Sequence, residues 1–184
     1  LVQLLSDAAA RNPSDADIAF DLAEALHTMG DRAAADEAYA GLLRRVTEPG
    51  ARAQALAERA RLAVEGGDAD AGAGHLREAL RSDPFLRDAV LDDALLERLC
   101  ARSDVTEALG KATERQITTY SEEIRSTPLN EQPYRELVRI LIEAGRADDA
   151  VEVAEDASRR FSGSLEFRVL TADALFAADR RTDA

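Results

Sequence analysis

The residues of this 184-residue chain with the types to do chemistry are two histidines, one cysteine and a few carboxylate pairs. His27 and His75 share no short spacing. A zinc site needs three or four convergent ligands, so both read as surface or groove histidines and no metal is predicted. Cys100 lies at helical spacing from Leu96, beside Leu99. A reactive thiolate needs a base or a cation beside it, and no histidine is near in sequence, so Cys100 reads as a buried, inert thiol. Asp92-Asp93, Glu122-Glu123 and Asp148-Asp149 are adjacent pairs. Neighbours on a helix diverge by about 100°, which marks a solvated face rather than an acid–base dyad. Gly66-Gly67, Gly72 and Gly74 lack the Gly-Lys-Ser/Thr ending of a phosphate loop and read as a helix turn followed by close helix packing. No serine-centred nucleophile motif is present. The expectation is a non-enzyme without a cofactor.

The elements that would position any binding side chains are helical. Alanine occurs 37 times, aromatics make up 4% and tryptophan is absent. Alanine loses no side-chain entropy in a helix, whereas strands favour the β-branched and aromatic residues that are scarce here. The fold class predicted is all-α. With 36 acidic against 23 basic residues the net charge is −13, the wrong sign for neutralising a phosphate backbone. No apolar run approaches the ~18 residues of a membrane span. Direct nucleic-acid and membrane partners are therefore not expected.

The punctuation repeats. Gly30-Asp31-Arg32-Ala33-Ala34-Ala35, Gly67-Asp68-Ala69-Asp70-Ala71-Gly72 and Gly145-Arg146-Ala147-Asp148-Asp149-Ala150 resemble one another, with a fourth version at Asp179–Ala184, 34 residues after Gly145. An apolar stripe at steps of three and four precedes the turn: Ala19, Leu22, Ala23 and Leu26 before Gly30; Tyr134, Leu137, Val138 and Leu141 before Gly145. A second stripe follows: Ala35, Ala38, Tyr39, Leu42 and Leu43; then Leu76, Ala79 and Leu80; then Ala150, Ala154 and Ala157. Each glycine supplies the left-handed residue that ends a helix. Pro13, Pro84 and Pro128 mark the hand-over to the next pair, and Ser14-Asp15 and Asn130 offer capping oxygens.

This pattern resembles the tetratricopeptide repeat family, whose 34-residue unit places a large residue, a Leu, a small residue and an aromatic on a first helix, then Ala on a second. The small slot reads Ala23, Ala60, Val138 and Ala172, and the helix-approach slot reads Ala35, Gly72, Ala150 and Ala184. Ala19 and Arg168 stand in the large slot, and Arg59 and Thr171 replace Leu. The resemblance covers about residues 1–84 and 116–184 and implies a right-handed solenoid of antiparallel helix pairs, with a concave groove built from first helices that holds a peptide or protein. The implied groove residues are Phe20, Glu24 and His27 (with Asp17), Arg61 (with Ala57 and Val64), then Arg135, Arg139, Ile142, Val169, Asp173 and Phe176. Phe20 and Phe176 are singled out because an exposed aromatic is expensive unless it contacts something. Arg135 and Arg139, with Arg168 one period on, would suit an acidic segment; in the alternative they pair with Glu131, Glu136 and Glu143. The lysine and asparagine clamp of the chaperone-binding branch is absent, since Phe20 and Glu24 fill its opening slots.

Residues 85–115 fit less well. Leu86, Val90, Leu96 and Leu99 predict one helix; Ser103-Asp104 starts another, whose stripe Val105, Leu109, Ala112, Ile117, Tyr120, Ile124 runs to Pro128. The segment reads as a deviant repeat with an extended second helix, or as a junction between two shorter arrays broken at Gly110. Leu1 begins inside a second helix with stripe Leu1, Leu4, Leu5, Ala8, and Ala184 stops where another should start, so the array is expected to be a fragment of a longer one. Residues 128–150 also resemble the helical domain of bacterial transcriptional activators. The expectation is therefore an interaction scaffold in the bacterial cytoplasm, with a regulatory domain or an enzyme's accessory region as alternatives.

Overall fold

The computed structural model describes residues 1–12 and 15–179 and places eleven α-helices among them, with no strand. They are α1 (Val2–Arg11), α2 (Ala16–Thr28), α3 (Arg32–Leu43), α4 (Pro49–Glu65), α5 (Ala69–Ser82), α6 (Arg87–Leu91), α7 (Glu97–Cys100), α8 (Ser103–Ser126), α9 (Glu131–Glu143), α10 (Ala147–Arg160) and α11 (Leu165–Asp179). The hand-over at Pro13, the Ser14 cap, the turn after Asp179 and the Ala184 slot lie outside the described residues.

Three hairpins share one turn chemistry. Gly30, Gly67 and Gly145 have φ of 85°, 84° and 71°, a backbone region that an L side chain rarely enters. In each, the amide of the next residue bonds a carbonyl five back: Asp31 to Leu26, Asp68 to Ala63, Arg146 to Leu141. The glycine amide bonds three back, to His27, Val64 and Ile142. This double closure satisfies carbonyls that a helix end leaves open. Asp31 and Asp68 then cap the following helices through the amides of Ala34 and Ala71, and Asp15 and Asn130 cap α2 and α9.

The chain divides into two compact units, residues 1–112 and 113–184, and the division falls inside α8. In the first, α2 packs on α3 and α4 on α5, with Ala23, Ala35, Ala60 and Leu76 fully enclosed and Gly72 buried. A Cβ on Gly72 would lie 3.0 Å from Val64 and 3.3 Å from the Ala60 carbonyl, so this approach of α5 to α4 requires glycine. Small residues at the crossing let the two helices of a pair come close, which gives the tetratricopeptide-like layers. Leu1 and Leu4 remain exposed, so the expected α1 stripe packs only through Leu5 and Ala8.

The middle segment corrects one expectation. Leu86, Val90, Leu96 and Leu99 do not share one helix: Leu86 ends a 3-10 turn (Pro84–Leu86), Val90 lies in α6, Leu96 immediately precedes α7 and Leu99 lies within it. The interruption has a local cause: Asp93 Oδ1 accepts from the amides of Leu95 and Leu96 at 2.8 and 3.1 Å, a turn that competes with helix. Val90, Leu96 and Leu99 still reach the core with Val105 and Ala112. The extended helix forms as expected, and α8 runs unbroken through Gly110 for 24 residues.

In the second unit, α10 packs between α9 and α11. The register of α11 corrects a second expectation. Arg168 is exposed, and Phe167, fully buried, fills the large slot 33 residues after Tyr134. Leu170 then takes the Leu slot and Thr171 the small one, while Ala172 is exposed. Thr171 suits the close approach because its hydroxyl bonds the carbonyls of Phe167 (2.8 Å) and Ala154 (3.3 Å) and meets the Ser158 hydroxyl at 2.9 Å. Phe161 stacks on Phe167 at 5.0 Å, and both meet Tyr134 edge-on.

Candidate functional site

In the first unit, the outward residues of α2 and α4 meet in a polar cluster. Arg61 Nε donates to Asp93 Oδ2 at 2.6 Å, and the same guanidinium pairs with Glu58. His27 Nε2 lies 2.8 Å from Glu65 Oε2. Burial pushes the Glu58 carboxyl above its ordinary value, against the opposing pull of Arg61 and His27, with Asp93 and Glu24 adding to the rise. Burial together with Glu58 and Glu24 pushes the Tyr39 phenol up to about 12. Phe20 is half-buried with its ring edge-on to Tyr39 at 5.8 Å. The fold thus brings Phe20, Glu24, His27 and Arg61 around Tyr39 and Glu58. Ala57, expected in the groove, is instead buried, 4% exposed.

Sequence reasoning missed Tyr39, Glu58, Glu65 and Asp93 as members of this cluster. Glu58 stands three residues before Arg61 on α4, a pairing visible in sequence. Asp93 carried no such signal, because its partner is 32 residues away on another element. Burial of its side chain raises the Asp93 pKa, but the bond from Arg61 and the amides of Leu96 and Leu95 outweigh that and hold it below the usual value.

In the second unit, the two expected cations have carboxylates beside them. Arg135 pairs with Glu131 and, at 2.8 Å, with Glu166, and its guanidinium lies 5.8 Å from the centre of the Phe167 ring. Arg139 pairs with Glu136 at 3.1 Å and Glu143 at 2.7 Å. This is the alternative arrangement considered for them, with Glu166 added. Ile142 is half-buried, and Asp173 is exposed. Val169 and Phe176 are 52% and 60% exposed, and Leu165 on the same helix is 69% exposed.

Among the described residues no group of three His, Cys, Asp or Glu side chains could hold a metal ion. His75 is half-buried, and burial followed by nearby Arg59 lowers its pKa. Cys100 is half-buried, its thiol pushed up by burial and by Glu97. Among the described residues no helix is long and apolar enough to cross a membrane.

Residues 79–178, more than half of the chain, match the family model described as the U3 small nucleolar RNA-associated protein 6 C-terminal family. No curated protein sequence matches. Among solved structures, the chain is similar to YrrB, a TPR protein with an unusual peptide-binding site, at 13% identity and a TM-score of 0.45, over 98% of this chain and 87% of that one. It is also similar to MamA protein, at 18% identity and a TM-score of 0.40, over 91% of this chain and 85% of that one. The bacterial cytoplasmic location expected from the sequence is overturned by the family match, since that family is described by its association with a small nucleolar RNA. A C-terminal match that runs from the end of α5 through α11, over helices whose packing is tetratricopeptide-like, makes this chain a member of the U3 small nucleolar RNA-associated protein 6 C-terminal family.

Proposed function

We propose that the chain is a non-enzymatic interaction scaffold that holds a protein partner on the outward faces of its first helices. Its association with an RNA-containing assembly, which the family description suggests, is then made through protein and not by gripping phosphates. The observation that carries this reading is the outward face of α11, where Leu165, Val169 and Phe176 are each more than half exposed in a chain whose other large apolar residues mostly pack inward. A run of exposed apolar residues on one helix face is characteristic of an interaction site. The charge balance supports the second half of the reading. A net charge of −13 repels a polyanion, and Arg59, Arg61, Arg135, Arg139 and Arg146 all sit against carboxylates.

The test is affinity purification of the full-length protein carrying this chain, as wild type and as Val169→Asp/Phe176→Asp, with recovered proteins and RNA both quantified. The expected result is loss of a defined set of protein partners together with the RNA. The purified chain alone is expected to show no RNA retention in a filter assay at physiological salt. Tight RNA binding by the isolated chain, or an unchanged partner set in the variant, overturns the reading.

A further inference from the structure

α9 and α11 occupy equivalent places in the second unit, offset by 33 residues, and a position-by-position comparison separates their two faces. Four core residues correspond: Tyr134, Leu137, Val138 and Leu141 on α9; Phe167, Leu170, Thr171 and Ala174 on α11. Pro133 and Ile140, also buried on α9, stand where α11 has the exposed Glu166 and Asp173. The outward residues do not correspond. Gln132, Glu136, Arg139 and Glu143 on α9 become Leu165, Val169, Ala172 and Phe176 on α11. On α9 this face remains partly exposed to solvent, with Arg139 and Glu143 side chains 41% and 38% accessible.

Its spacing is specific. Positions 165, 169, 172 and 176 are separated by four, three and four residues, which at about 100° per residue keeps them within a narrow stripe. Steps of four and three are the seam of a two-stranded coiled coil, with Leu165 and Ala172 at one core position and Val169 and Phe176 at the other. In that frame the buried residues Phe167, Leu170, Thr171 and Ala174 fall on the side opposite the seam. Arg168 and Asp173, both exposed, flank the seam on its two edges. In a parallel pair of identical helices, the residue at the first of these edge positions lies beside the residue five further along the partner. That places Arg168 next to Asp173 of a second copy, twice over by symmetry.

From this we infer that α11 is a homotypic docking element: two copies of the chain associate through parallel α11 helices, with Leu165, Val169, Ala172 and Phe176 as the seam and reciprocal Arg168–Asp173 pairs setting the register. The inference rests on the reading of this face as an interaction surface and names a second copy as its occupant. Opposite charges at the flanking positions favour self-pairing in this orientation.

The test is sedimentation equilibrium of the 184-residue chain across a wide concentration range, with far-ultraviolet circular dichroism as a check on folding. The expected mass rises from one chain toward two with concentration. Val169→Glu abolishes the rise with helicity unchanged. Arg168→Asp and Asp173→Arg each weaken the dimer several-fold, and combining the two restores it. A chain that stays monomeric throughout, a dimer indifferent to Val169→Glu, or a charge swap that is not rescued by its complement overturns the inference. Its failure is distinct from failure of the scaffold reading. A monomer whose Val169→Asp/Phe176→Asp variant still loses its cellular partners leaves that reading standing with a different occupant.

Discussion

α4 and α11 are both first helices of a pair, yet they treat their outward residues in opposite ways. On α4 the outward Arg61 is closed into ion pairs with Glu58 and Asp93, and Arg59, on the opposite side of the helix, pairs with Asp36. On α11 the outward stripe is apolar and largely exposed, while the inner face carries a packed trio of aromatic rings with Tyr134 and Phe161. The lesson concerns where binding capacity resides. A polar face whose charges already have partners gains little from a new one, because the exchange trades one ion pair for another. An exposed apolar stripe gains by leaving water. On the function proposed above, recognition belongs to α11 and the α4 cluster serves as a structural brace.

The comparison is broken most severely at the anchor of α11. Phe167→Ala removes a fully buried ring from its stack with Phe161 and is expected to destabilise the second unit by about 3–5 kcal/mol. Hydrogen exchange should show α11 amides losing protection before those of α4. If α11 stays protected, the 33-residue register is wrong and the outward stripe with it. A smaller effect is expected from Ala23→Trp, which overpacks the α2–α3 crossing where Ala23 is fully enclosed, at about 1–3 kcal/mol. Chemical denaturation measures it, and a neutral outcome would misplace the repeat frame in the first unit.

The brace itself is tested through Asp93. Removing it in Asp93→Ala leaves Arg61 with only Glu58 and frees two amides, a loss of about 1–3 kcal/mol at neutral pH by the usual worth of charged hydrogen bonds. The pH dependence has a definite sign. Because the folded Asp93 carboxyl sits below its ordinary 3.8, its contribution is complete above that value and is lost as pH falls through the lower folded one. Glu58 runs the other way: its raised pKa means the buried charge opposes folding at neutral pH, and protonation on acidification relieves it. Acid titration of stability should therefore be less steep at its lowest end in Asp93→Ala than in wild type. An identical acid limb would remove Asp93 from the brace. The smallest effect is Val169→Ser, expected to alter stability by no more than about 0.5 kcal/mol because the side chain is 52% exposed. A large loss would show that the stripe is part of the core and not an open surface.

Much of this was legible along the chain. The Gly-Asp turns, the alanine crossings at Ala23, Ala35 and Ala60, and the long helix up to the Pro128 boundary all follow from local rules: left-handed glycine, side-chain size and apolar spacing. Two expectations fail, each for its own physical reason. The break at Asp93 depends on a side chain that bonds its own backbone amides and a distant arginine, so the apolar spacing of Leu86, Val90, Leu96 and Leu99 suggested a continuity that the backbone does not have. The placing of Arg168 in a buried slot came from imposing a strict period of 34, where a slip of one residue turns a helix by about 100° and exchanges inward for outward positions.

The sequence by itself determined that the chain is helical, where three of its hairpins turn and which small residues permit close crossing, because each is decided within a few residues of backbone. Only the tertiary structure decided which face of α11 is buried, that Arg61 reaches Asp93, and that the charges on α9 already have partners. Those outcomes depend on how helices rotate about their axes to fill a shared core with Phe167, Tyr134 and Leu137, and packing chooses that rotation among registers that local propensity leaves nearly equal in energy.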